Sequence, residues 1–320
     1  MRLGTSLSPE IRLWRWWCKN GPKNRDGGTI GGSFMMRRLR DLYALPGLEA
    51  RRTADVCIDD VGTLYVDVLD LRTWHVLLPH LEQDDPELQL ARTLNPHGGV
   101  FVDVGANVGQ LSLFALTEST AAVHSFEPNP AMVRLLRRSR SENPLAARWH
   151  LHESAVGSSP GRLDLYFDAH FSGTASLNAQ WQGQGAQTVQ IPIVTLDEWY
   201  ADERVRQVDV LKMDVEGWEA EVVAGGSRVI ASNKPYVWFE HNLSALRRSG
   251  LNPERVLERL QALGYSAYWD IGRFPDTKSW SPRELAHLNE GRINLLAVPA
   301  ERSPDFLGRV LPRMRALRGA

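Results

Sequence analysis

From Val100 onward the chain alternates short apolar runs with longer amphipathic ones. VFVDV (100–104) has the length and composition of a strand, and GQLSLFALTE (109–118) reads as a helix. AVHSFE (122–127) predicts the next strand. PAMVRLLRRSRS (130–141) predicts the next helix, with apolar residues on one side and arginines on the other. RWHLHESAV (148–156) reads as a third strand. GRLDLYF (161–167) and TVQIPIV (188–194) alternate like two arms of a hairpin, separated by a loop rich in Gly, Ser and Gln. TLDEWYA (195–201) opens a helix, VDVLKMD (208–214) is a buried strand, and EGWEAEVVAGGSRVI (216–230) is a helix. PYVWFEH (235–241), PERVLERLQALG (253–264), YSAYWDI (265–271) and RINLLAV (292–298) follow as strand, helix, strand and strand. The last two strands are joined by an irregular segment, which suits an antiparallel strand at the end of the sheet.

Strands alternating with helices predict a doubly wound, Rossmann-like α/β fold with a mostly parallel sheet covered on both faces. Upstream, the apolar segments VCI and TLYVDV flank the turn signal DDVG and predict a hairpin over 56–68, followed by a helix over 86–94. The expected organisation is a basic, tryptophan-containing arm at 1–55, a lead-in hairpin and helix at 56–97, the principal domain at 98–300 and a tail at 301–320.

Composition narrows the class. The chain has 320 residues, 43% of them hydrophobic, with a net charge of −1. That supports one large domain and argues against a polyanion binder, so no nucleic-acid partner is expected. Cys18 and Cys57 have no metal-ligand spacing around them. No run is long enough to span a bilayer and no secretory stretch opens the chain, so a cytoplasmic location is expected. The arm carries Trp14, Trp16 and Trp17 among basic residues. It reads either as a peripheral membrane or homodimer contact, or as a segment that packs its tryptophans on the domain.

Three motifs carry chemistry. Asp103-Val-Gly-Ala-Asn-Val-Gly-Gln110 follows a strand and opens a helix, the place where a Gly-rich turn lets backbone approach a ligand. Its spacing departs from the G-x-G-x-x-G dinucleotide fingerprint. A carboxylate at Asp103 would repel a pyrophosphate and suit a cationic amino group, such as that of S-adenosylmethionine. Glu127, about twenty residues on, can accept hydrogen bonds from two ribose hydroxyls, or can serve as a helix N-terminal acid. Lys212-Met-Asp-Val-Glu-Gly217 places Lys212 and Asp214 on one strand face with Glu216 beyond. These residues read as a structural ion pair of Lys212 with Asp214 or Glu216, or as acids at the mouth of the crevice. Glu240 and His241 end the following strand. His241 is a candidate base, with Asp214 as the other. A divalent cation on Asp214, Glu240 and His241 is a secondary reading. Trp218 could shape an acceptor site or simply pack its helix.

The stretches VFVDVGANVGQ, FEPNP, ESAVG, SGTASL (172–177), VTLDEW and DVLKMDVEGWEAEVVAGG (209–226) together resemble the FkbM-type family of class I S-adenosylmethionine-dependent methyltransferases. The resemblance covers roughly 98–240. It implies a seven-stranded sheet with its last strand antiparallel, S-adenosylmethionine as donor, and O-methylation of a hydroxyl on a sugar, polyketide or other natural product. Carried onto this chain, Asp103, Gly105, Asn107 and Gly109 would line the methionine end. Glu127 in FEPNP, with Asn129 beside it, would hold the ribose. Ser154 and Ala155 would flank the adenine, Ser154 standing where many relatives have Asp. Asp214 would lie near the ammonium or the acceptor hydroxyl, and His241, Asp214 and Glu216 are the catalytic candidates. The competing readings are a catalytically silent adenosine-binding module and a nicotinamide-dependent oxidoreductase.

Overall fold

In the computed structural model of the protein, the described residues are 53–58, 61–67, 70, 72–73, 85–94, 98–117, 121–168, 171–177, 186–248, 250–273, 279–286 and 291–318. The N-terminal arm lies outside them, apart from its last three residues. The strands in chain order are β1 (Thr53–Ile58), β2 (Gly62–Asp67), β3 (Val100–Val104), β4 (Ala122–Phe126), β5 (Trp149–His152), β6 (Ala155–Val156) and β7 (Gly161–Asp168), then β8 (Phe171–Ser176), β9 (Ala186–Val194), β10 (Val210–Met213), β11 (Tyr236–Asn242), β12 (Ala267–Asp270), β13 (Ser279–Trp280) and β14 (Arg292–Val298).

The central sheet has eight strands in the order β13-β12-β14-β11-β10-β3-β4-β5. β11, β10, β3, β4 and β5 run parallel, and β14 is antiparallel to both β11 and β12. All seven expected strands are present, but the antiparallel β14 lies between β11 and β12 rather than at the end of the sheet. The eighth, β13, is a two-residue addition on β12 inside the segment expected to be loop. The chain order turns outward in both directions from β3 and β10, so their C-terminal ends frame the crevice where α/β sheets take ligands.

Strand residues alternate between two cores. On one face Phe101, Val123, Val210, Tyr236, Trp238 and Trp149 pack against the helices Pro86–Leu94, Gln110–Thr117 and Pro130–Ser141. On the other, Val102, Val104, Leu211, Met213, Val237 and Phe239 meet the helices Leu196–Asp202, Glu219–Gly225, Ser227–Asn233 and Arg255–Ala262. Each large apolar side chain so buried contributes about 1.5–3 kcal/mol. β1 and β2 form the expected hairpin, and its Val56, Leu64 and Val66 join the first core. Asn143 docks it: Oδ1 accepts the Thr63 N–H at 3.0 Å and Nδ2 donates to the Thr63 carbonyl at 2.8 Å.

Three expected elements differ. The strand read over 148–156 divides at Glu153 and Ser154, where Glu153 pairs with Arg137 at the surface. Ala155 and Val156 then join β9 in a second sheet of order β6-β9-β7-β8. The hairpin of β7 and β9 is as expected, but the loop between its arms contains the further strand β8. The helix read over 216–230 starts at Glu219 and breaks at Gly226. There the backbone passes so close to the second sheet that a Cβ on Gly225 would lie 1.9 Å from the Gly157 carbonyl oxygen. The segment expected as a tail is helical between Ser303 and Arg318 and buries Phe306, Val310, Leu311 and Met314. Among the described residues no helix is long and apolar enough to cross a membrane.

Candidate functional site

The turn after β3 is fastened to β4: the Gly105 and Ala106 N–H groups both donate to the Phe126 carbonyl, at 3.0 and 3.1 Å. Gly105 has φ 78°, and a Cβ there would meet the Asp214 carbonyl oxygen at 2.0 Å. The turn can therefore lie against the end of β10 only with glycine in that position. Asn107 follows at φ 53°. Its backbone N–H donates to Glu127 Oε2 at 2.8 Å and its Nδ2 to Ser172 Oγ at 3.0 Å. Gly109 has a packing role instead. A Cβ on it would come within 2.4 Å of Leu136 and 2.6 Å of the Trp149 ring, and it does not line the cleft.

Asp103 is likewise consumed inside the fold. Its carboxylate is wholly buried, with Lys212 Nζ 3.0 Å from Oδ1 and Ser112 Oγ donating to Oδ2 at 2.6 Å. The partner of Lys212 is thus Asp103, its register neighbour, rather than Asp214 or Glu216. The same ammonium donates to the Gly105 carbonyl at 3.1 Å and so braces the turn. Burial alone would lower the Lys212 pKa, but Asp103 and Asp214 outweigh it and hold the lysine above its usual range.

Glu127 stands at the end of β4 with both oxygens fixed. Oε2 accepts the Asn107 N–H and Oε1 the Asn129 N–H, each at 2.8 Å. An ionised carboxylate has about four acceptor positions, so two remain for a ligand. Burial pushes Glu127 up to about 7 despite those two amides. Its charged form is therefore under-solvated, a demand that two ligand hydroxyls would meet. Asn129 caps the helix Pro130–Ser141 through its side chain and supports Glu127 from behind rather than lining the cleft. Ser154 and Ala155 do line it, with Phe126, Pro128, Val156 and Leu165 supplying a mainly apolar wall.

The opposite end of the cleft is acidic. Ligand atoms of Asp214, Glu216 and Glu240 lie within 4.8 Å of one another, a group that could hold a cation. His241, grouped with Asp214 and Glu240 from the sequence, is replaced in this set by Glu216. It follows Glu240 on β11 and so takes the other face, with its ring edge-on to Phe239. It does not line the cleft, and burial lowers it to about 4. Glu216 is held at φ 51°, in the left-handed region that non-glycine residues uncommonly adopt. Arg72 reaches in from the lead-in segment to within 3.9 Å of Asp214.

The sequence-predicted residues the cleft brings together are Gly105, Asn107, Glu127, Ser154, Ala155, Asp214 and Glu216. Trp218 also lines it while packing on the second core. Two contributors escaped sequence reasoning. Ser172 lies in the SGTASL stretch, which was visible as a motif without a role; Arg72 sits in no motif.

Residues 103–267, just over half of the chain, match the family described as the Methyltransferase FkbM domain. The chain belongs to this family. It is therefore a methyltransferase, and the FkbM domain contains the glycine turn, Glu127 and the acidic end of the cleft. Among curated relatives, the 2-O-methyltransferase NoeI of Sinorhizobium fredii is 23% identical over 58% of this chain and 80% of its own length. The 31-O-demethyl-FK506 methyltransferase FkbM of Streptomyces tacrolimicus is 30% identical over 40% of this chain and 59% of its own. A crystal structure of a Methyltransferase FkbM from Methylobacillus flagellatus aligns at 15% identity and a TM-score of 0.40, covering 82% of this chain and 58% of that one. For the last two the alignment spans less than two thirds of the relative's own length.

Proposed function

We propose that this FkbM methyltransferase transfers the methyl group of S-adenosylmethionine to a hydroxyl oxygen of a sugar, polyketide or other natural-product acceptor. The observation that carries the cofactor is Glu127, a carboxylate fixed by two backbone amides at the end of β4 with acceptor positions left for a vicinal diol. Phe126, Pro128, Ser154, Ala155 and Val156 line the cleft beside it and would hold the adenine, while Gly105, Asn107 and Asp214 would hold the methionine end. The choice of oxygen as acceptor rests on the names of two relatives, a 2-O-methyltransferase and a methyltransferase of a 31-O-demethyl compound.

When bound, the cofactor supplies a sulfonium methyl already activated for transfer. What remains for the protein is alignment of the acceptor oxygen with that carbon, worth about 7–11 kcal/mol in favourable cases, and removal of one proton. Glu216, lining the acidic end of the cleft, is the group assigned to receive the hydroxyl proton. Trp218 forms part of the wall and excludes water from the reacting atoms.

A nicotinamide-dependent oxidoreductase fits less well. The turn spacing is wrong for a pyrophosphate, and the acids that would repel it are Asp214 and Glu216, since Asp103 is neutralised by Lys212. Calorimetric titration with S-adenosylhomocysteine, beside NADH, tests the cofactor, and isotope transfer from labelled S-adenosylmethionine to a panel of hydroxylated acceptors tests the reaction. Binding of NADH alone would overturn the proposal. Binding of S-adenosylhomocysteine with no transfer to any acceptor would favour the silent binding module.

A further inference from the structure

If S-adenosylmethionine is the cofactor, as proposed above, its amino-acid end brings an ammonium and a carboxylate on one carbon, and its site needs an anion and a cation a few Å apart. Asp103 and Lys212 satisfy each other in the interior and present nothing to the cleft. The cleft offers another pair. Arg72 Nη2 stands 3.9 Å from Asp214 Oδ2, with side chains 23% and 20% exposed. That spacing is the outer limit of an ion pair and well beyond a bidentate grip, and it sets a cation and an anion side by side for the two ends of a zwitterion laid across them.

The backbone that carries Arg72 is tied to the glycine turn. Asp70 Oδ1 accepts the N–H of Arg72 at 2.9 Å and of Ser172 at 3.1 Å. Ser172 Oγ in turn accepts from Asn107 Nδ2 at 3.0 Å. Thr73 Oγ1 donates to the Asp67 carbonyl at 2.8 Å, anchoring the other side of the arginine to the end of β2. Asp214, Glu216 and Glu240 would repel a carboxylate at this end of the cleft, so a ligand carrying one needs a cation here. The planar fork of arginine matches a carboxylate with two parallel hydrogen bonds.

We propose that Arg72 binds the carboxylate of the cofactor's methionine moiety while Asp214 takes its ammonium. Arg72 lies outside the residues 103–267 that match the family. The lead-in segment thereby supplies a cofactor-binding group to the FkbM domain rather than acting only as packing.

The test uses S-adenosylhomocysteine and its 3-aminopropyl thioether analogue, which keeps the adenosine, sulfur and ammonium and lacks only the carboxylate. Both are titrated into the wild-type chain, Arg72→Gln and Arg72→Lys. Arg72→Gln is expected to weaken S-adenosylhomocysteine about tenfold or more and the analogue by less than about twofold, with Arg72→Lys intermediate for the first ligand and unchanged for the second. Equal losses for both ligands in Arg72→Lys, or wild-type affinity of Arg72→Gln for S-adenosylhomocysteine, would overturn the assignment. A wild-type chain that binds neither ligand removes the cofactor reading itself, and the Arg72 assignment with it. Loss confined to the ligand with a carboxylate supports both.

Discussion

Lys212 and Asp103 are register partners on β10 and β3, with Nζ 3.0 Å from Oδ1 and side chains 5% and 0% exposed. The pair ends a chain of buried polar groups. Trp149 Nε1 donates to Ser125 Oγ at 2.8 Å, the Ser125 and Ser112 hydroxyls lie 2.7 Å apart, and Ser112 donates to Asp103. This network crosses β4, β3 and β10 directly behind the glycine turn, and Lys212 delivers it to the Gly105 carbonyl. The strongest motif in the sequence thus works from the interior, by holding the turn in shape.

Lys212→Met leaves the Asp103 carboxylate buried without its cation. It is expected to lower the free energy of unfolding by about 3–5 kcal/mol. Combining it with Asp103→Asn removes both charges and keeps an acceptor for Ser112, and is expected to recover at least half of that loss. Urea unfolding of the single and double variants decides the point. A double variant no more stable than the single one would show that the loss comes from packing and not from the isolated charge.

Glu127 links pH to both stability and ligand binding. Its folded-state pKa is raised from 4.5 to about 7, so between those values the native state holds more protons than the unfolded chain. The stability it contributes is complete below its unfolded pKa and is lost as pH rises through the folded one. Glu127→Gln is expected to flatten this fall without abolishing it, because burial also raises Glu87 and Glu219 to about 7. Hydroxyl donors from a bound ribose favour the charged carboxylate, so S-adenosylhomocysteine should bind more tightly at about pH 8 than at about pH 6 and release protons as it binds. In Glu127→Gln its affinity should fall by about 1.5–3 kcal/mol and this pH dependence should be lost. Titrations in buffers of differing ionisation enthalpy measure both effects. Unchanged proton release in Glu127→Gln would move the linkage to another group.

Much of the fold was legible because apolar alternation and the turn signals agree along β3, β4, β10 and β11, where both strand faces are buried. The lost details have local causes. Glu153 breaks a run that is apolar enough to read as one strand, and the Gly225–Gly226 step divides one helical pattern because of a contact with Gly157, distant in sequence. At the site, residue type alone could not tell Asp103 from Asp214: both are strand-end carboxylates, and only the register of β3 against β10 assigns Lys212 to the first. His241 was misplaced for a simpler reason, since neighbouring strand residues face opposite ways and Glu240 already points toward the acids. Arg72 carries no sequence signal because its place depends on how the lead-in folds back over the cleft.

Gly105→Ala combines a left-handed φ of 78° with a Cβ 2.0 Å from the Asp214 carbonyl oxygen. Left-handed backbone costs about 1–2 kcal/mol and overpacking about 1–3 more, so a loss of about 2–5 kcal/mol is expected, together with loss of cofactor affinity as the turn shifts. Gly308 is the contrasting case. It lies within the π-helical segment Phe306–Val310, and a Cβ added there would meet nothing within 4 Å. Gly308→Ala is therefore expected to stabilise the chain by about 0.5–1 kcal/mol through helix propensity. Thermal unfolding of the two variants should move in opposite directions, and a stabilising Gly105→Ala would refute the close approach of the turn to β10.

Glu216 and His241 are separable as candidate bases. His241 is 1% exposed, and among the described residues its Nδ1 has no hydrogen-bond partner. Burial, with a smaller contribution from Arg247, lowers it from 6.5 to about 4. Its folded pKa lies below the unfolded one, so its contribution is present above the unfolded value and is lost as pH falls through the folded one, favouring acid unfolding. Replacing a buried imidazole with an unsatisfied nitrogen by a ring of similar shape removes that liability. His241→Phe is expected to keep kcat within about threefold and to leave stability near neutral pH unchanged or higher. Glu216→Gln keeps the size of the side chain but cannot accept a proton, and should lower kcat by about 10²–10⁴-fold with little change in S-adenosylhomocysteine affinity. Single-turnover rates and ligand titrations on both variants, with wild type alongside, separate the chemical step from binding. If His241→Phe lost turnover and Glu216→Gln kept it, the base would lie across the sheet from the acids, and substrate would have to approach from a face that the present cleft does not open.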